Sequence, residues 1–87
     1  MSPREVLADV RRQPFEPFII RMAGGAAFEI RHPDQCLVLK TAAIVGVMRD
    51  PEEELADRYV KIDLHHISRI QYLAASQAPG SNGQPSE

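Results

Sequence analysis

Three histidines, one cysteine and a run of carboxylates are the side chains in this sequence with chemistry to offer. His65 and His66 are adjacent, and His32 stands four residues before Cys36, so nitrogen and sulfur metal ligands are present in type. Their spacing argues against a metal site. Neighbouring histidines on one turn point apart, and no further ligand falls at a recognisable interval. A histidine that closes a turn by donating to a nearby carbonyl is the simpler expectation. Cys36 as a nucleophile would need a depressed pKa and an orienting base. It opens an apolar run, where cysteine behaves as a small buried hydrophobe.

The segment Asp50-Pro-Glu-Glu-Glu-Leu-Ala-Asp57 offers paired carboxylates to calcium. It lacks the glycine and the alternating ligand positions of a calcium-binding loop, so a solvated acidic loop is expected. Arg11, Arg12, Arg21, Arg31 and Arg49 could make a basic face, yet few aromatics are interleaved with them to stack on bases. No serine–histidine–acid set, carboxylate pair, nucleotide loop or cofactor motif stands out. The reading is non-enzymatic, with no catalytic residue, metal or cofactor.

Charge is distributed unevenly. Residues 1 to 49 carry seven basic and five acidic side chains, whereas residues 50 to 58 carry five acidic and one basic. The net charge of -2 lacks the basic footprint of a typical DNA binder. Eighty-seven residues allow one core. A chain so small buries only ~60% of its unfolded surface, so self-association into a homo-oligomer is expected to enlarge that core. The apolar runs are too short to cross a bilayer and no signal peptide is visible, which implies no membrane partner and a cytoplasmic location.

The elements that must position these residues begin with a helix. Ser2, Pro3 and Glu5 form a capping signature, Val6, Leu7 and Val10 an apolar stripe, and Pro14 a stop. Phe15 and Phe18 flank an extended connector and are expected to staple helix to sheet. Phe18 to Met22 alternates as a first strand, and Gly24-Gly25 signals a tight hairpin. The second strand runs from Ala27 to Lys40 and is bent at Pro33, with an alternating first half and an apolar second half, Cys36 to Lys40, expected to be buried on both faces. Residues 43–48, 59–64 and 68–73 read as the third, fourth and fifth strands. His65-His66-Ile67 interrupts the last two as one 3₁₀ turn, and the acidic loop has room for a helical turn around Glu53 to Ala56. The fold expected is mainly β: an N-terminal helix and a five-stranded, strongly bent antiparallel sheet closing into a small barrel. Residues 1–73 form the domain and 74–87 a flexible tail.

This order of elements resembles the Sm-like barrel. Asp34-Gln35 followed by Val38-Leu39-Lys40 resembles the second-strand motif of the bacterial Hfq group, and His65-x-Ile67-Ser68 the segment joining its last two strands. The chain is also similar to short bacterial proteins of unassigned function, through Pro14-Phe15-Glu16-Pro17-Phe18 and the His32-Pro33 bend. A monomeric SH3-like barrel has nearly the same pattern. The Hfq resemblance implies a homo-oligomeric ring binding single-stranded RNA, with Gln35, Lys40 and His65 as candidate RNA- or ligand-binding residues. Three departures weigh against that activity. Cys36 stands where the family stacks an aromatic on a base, Leu64 replaces the lysine beside the histidine, and the acidic loop repels phosphate. The function expected is therefore a binding module for protein interaction or regulation through oligomer assembly, with RNA binding as the alternative.

Overall fold

The first helix forms where its caps are written. In the computed structural model, which describes residues 1–50 and 52–73, α1 spans Pro3–Val10. Ser2 Oγ accepts the Glu5 backbone N–H at 3.2 Å, and the Glu5 carboxylate accepts the Ser2 N–H at 2.9 Å. Both halves of the capping box are present. Eight residues do not sustain a helix in water, so the burial of Val6 and Val10 is what holds it.

Two three-stranded antiparallel sheets follow. The first has the order β2-β1-β6, with β1 at Phe18–Met22, β2 at Ala27–Ile30 and β6 at Ile67–Tyr72. The β1–β2 hairpin turns through Gly24 and Gly25; Gly25 takes φ 106°, and the Met22 N–H donates to the Ala26 carbonyl at 2.8 Å. The second sheet has the order β3-β4-β5, with β3 at Cys36–Val38, β4 at Ala42–Val47 and β5 at Arg58–Asp63. One 3₁₀ turn, Pro33–Gln35, carries the chain from β2 to β3, and another, Leu64–His66, from β5 to β6. Phe18, Ile20 and Ile30 of the first sheet and Ala43, Val45 and Ile62 of the second enter one hydrophobic cluster with Val6 and Val10.

The expected five-stranded closed barrel is corrected here to six strands in two sheets. The bent strand does not stay in one ladder. Pro33 has no N–H to offer, and the Gln35 N–H donates back to the His32 carbonyl at 3.0 Å instead of across a sheet. No ladder joins the two sheets among the described residues. Backbone bonds stitch them at isolated points: the Leu64 N–H donates to the Thr41 carbonyl at 3.0 Å, and the Ala23 N–H to the His66 carbonyl at 2.7 Å.

Two further expectations change. Cys36 to Lys40 is not buried on both faces, since Leu37 is 61% and Leu39 42% exposed. The common core covers one side of the β3-β4-β5 sheet, and alternation along the strand sends these leucines to the other. No helical turn forms at Glu53 to Ala56 either. The Glu53 carboxylate accepts the backbone N–H groups of Glu54 and Leu55 at 3.1 and 3.4 Å, and such local side-chain bonds compete with helical ones. The tail expected over 74–87 lies outside the described residues.

Candidate functional site

The β2–β3 connection places the first candidate residue. The turn at Pro33–Gln35 swings the Gln35 side chain inward, leaving it 9% exposed. Its Nε2 donates to the Glu29 carbonyl of β2 at 2.7 Å and to the Gly46 carbonyl of β4 at 2.9 Å. Its Oε1 accepts the Arg31 N–H at 2.8 Å. Both amide hydrogens are engaged, and the side chain links the two sheets where no ladder does.

Lys40 and His65 lie at the other end of β3. Both are exposed, and they flank the hydrogen bond that joins Thr41 to Leu64. The fold thus brings two of the three candidates together and holds Gln35 apart. A carbonyl is the expected partner of His65 or His66, and at His65 the partner is a carboxylate instead. Asp63 Oδ1 lies 3.0 Å from His65 Nδ1 and accepts the His65 backbone N–H at 2.9 Å. These bonds hold the Asp63 carboxyl below its ordinary pKa.

The outer face of the β3-β4-β5 sheet carries a broad concave groove, and the sequence reading missed it. Leu37, Ile44 and Lys61 form one cross-strand row, and Gly46 pairs with Tyr59 in the next. Because Gly46 has no side chain, the loop after β4 can approach; a Cβ there would sit 3.2 Å from the Ala56 Cβ. Asp57 anchors the loop, its N–H donating to the Val47 carbonyl at 2.9 Å and its carboxylate accepting the Arg49 N–H at 2.6 Å. The result is a groove of about 770 Å³ with Leu37, Ile44, Met48, Leu55 and Tyr59 among its lining. Leu55 and Tyr59 are each 75% exposed. In sequence, Leu55 sits inside a charge run and Leu37 inside an apolar run, so neither announces a surface.

The remaining reactive groups support the fold. Burial pushes the Cys36 thiol up to about 11, which leaves it protonated at neutral pH. The Tyr72 hydroxyl donates to Asp9, and the Arg12 guanidinium lies 5.1 Å from the Tyr72 ring centre. This trio fastens α1 to β6. The Tyr72 ring also meets Phe18 at 5.9 Å, and Phe15 meets Phe18 at 6.0 Å, the expected staple. Arg21 donates to Gln71 at 2.7 Å, and Arg31 pairs with Glu29. Among the described residues no three histidine, cysteine or carboxylate side chains are grouped to hold a metal ion, and no helix is long and apolar enough to cross a membrane.

No family model, no curated protein and no solved structure matches this chain.

Proposed function

We propose that this protein is a non-enzymatic binding module that recognises another polypeptide through the open face of β3-β4-β5. The observation that carries the reading is the clustering of Leu37, Leu55 and Tyr59, all strongly exposed, around one groove. Scattered surface leucines are ordinary, but apolar side chains gathered in a concavity mark an interaction site. Edge strands β5 and β6, each paired on one side, give the same module a route to assemble with copies of itself.

A photo-crosslinking side chain at Leu37, compared with one at Arg69 on the other sheet, tests this in the native cell. Polypeptide adducts specific to Leu37 are expected. Adducts that are mainly nucleic acid, or equal at both positions, would overturn the reading.

The second reading is an Sm-like homo-oligomeric ring that binds single-stranded RNA. What favours it is the pairing of exposed Lys40 and His65 at one end of the fold. A ring mass by light scattering and salt-sensitive binding of U-rich RNA are its expected results. A monomer without RNA binding at low salt would remove it.

A further inference from the structure

Resting on the protein-binding reading above, we infer that the groove takes a basic, apolar peptide segment: one or two large aliphatic or aromatic anchors flanked by lysine or arginine. The argument comes from which carboxylates remain free. In the acidic loop, Asp50 accepts the Glu52 N–H at 3.0 Å, Glu53 accepts two backbone N–H groups, and Asp57 accepts that of Arg49. Those three acids fold the loop.

Glu54 and Asp34 do not. Both are exposed, both line the groove, and neither carboxylate has an ion pair or hydrogen bond among the described residues. Asp34 is on the 3₁₀ turn before β3 and Glu54 on the loop after β4, and they share the groove's lining with apolar Leu37, Ile44 and Tyr59. Among the described residues no lysine or arginine lines the groove itself, and exposed Lys61 stands on this face at the β5 end of the Leu37–Ile44 row.

Charge complementarity then selects the occupant. A phosphate backbone would meet two unpaired acids in the lining. A second copy stacked face to face would gather four unpaired carboxylates, two from each chain, against two Lys61 side chains, and an excess of like charge in an interface opposes association. A segment with an apolar anchor and flanking cations matches the apolar lining and both carboxylates together. The volume suits it, since sites for drug-sized ligands run about 300–1,000 Å³.

Selection of a displayed library of random peptides on the full chain tests the assignment. The expected consensus is an apolar anchor flanked by lysine or arginine. A selected peptide should bind Leu37→Asp roughly tenfold or more weakly. Asp34→Asn and Glu54→Gln should each weaken it by roughly two- to fivefold, the range of exposed ion pairs, with the loss shrinking in high salt. The double reversal Asp34→Lys with Glu54→Lys should switch preference to acid-flanked peptides. All these positions are exposed, and melting curves of each variant check that it folds.

If neutral or acid-flanked peptides are selected and remain sensitive to Leu37→Asp, the basic partner is overturned while the protein-binding reading stands. If nothing is enriched, or Leu37→Asp changes nothing, both fall. Dimerisation abolished by Leu37→Asp would assign the face to a second copy and overturn the proposal.

Discussion

Replacing Gln35 by alanine removes a side chain whose hydrogen bonds tie β2 to β4, and the consequence can be worked from its three hydrogen bonds. At 2.7, 2.9 and 2.8 Å they all have ordinary strong-bond lengths, and the group is nearly excluded from solvent. A typical intramolecular hydrogen bond contributes about 1 kcal/mol net. Losing three therefore costs about 3 kcal/mol, against a total stability of roughly 4–13 kcal/mol for a chain this long. With about 4–8 °C per kcal/mol for a small domain, the melting temperature should fall by roughly 12–24 °C. Urea and thermal unfolding followed by circular dichroism measure it. The glutamate variant sharpens the test. A carboxylate at this position would face the Glu29 and Gly46 carbonyls without a proton, so its folded pKa must rise above the unfolded value of about 4.3. The native state then binds the proton more tightly than the unfolded one. Gln35→Glu should be most stable in acid and lose stability as pH rises through that raised pKa. A loss under about 0.5 kcal/mol for Gln35→Ala, or no pH dependence for Gln35→Glu, would refute the bridge.

Four other outcomes follow from the same structure. Asp63 and Glu5 both have lowered pKa values, through the backbone N–H groups of His65 and Ser2 respectively. Their stabilisation is present above the unfolded carboxylate range and lost as pH falls through the folded values, so Asp63→Ala and Glu5→Ala should flatten the acid limb of a melting-temperature profile. Tyr72→Phe should cost about 1–2 kcal/mol, and a double-mutant cycle with Asp9→Ala in urea unfolding should show coupling; additive losses would deny the bond. Cys36 should resist iodoacetamide at neutral pH in the folded chain and react fully in denaturant, as its thiol is held near 11. Gly25→Ala places a Cβ at φ 106° and should cost about 1 kcal/mol by thermal melting, although the space around it is open.

Local signals carried much of the fold. The capping residues Ser2 and Glu5, the glycine pair at 24–25, Pro33 and the alternation of Tyr59 to Leu64 each act over a few residues, and each produced its element within a residue or so of the expected place. Long-range pairing was not written that way. Whether β2 and β3 remain one strand depends on where Gln35 finds carbonyls, and those carbonyls belong to residues up to eleven positions away. The sequence marked Gln35 as a candidate ligand contact, while the folded chain engages its amide with backbone.

The same division holds for the groove. By itself the sequence determined that residues 36–40 are apolar and that residues 50–57 are acidic, because composition is all that these properties require. Only the tertiary structure decided that Leu37 faces away from the core, that Gly46 lets the acidic loop approach, and that Asp34 and Glu54 line one groove with apolar side chains. An apolar run reads as doubly buried when each of its faces has a packing partner. One core and one helix cover a single face of the β3-β4-β5 sheet, so half of that run was left to form a surface.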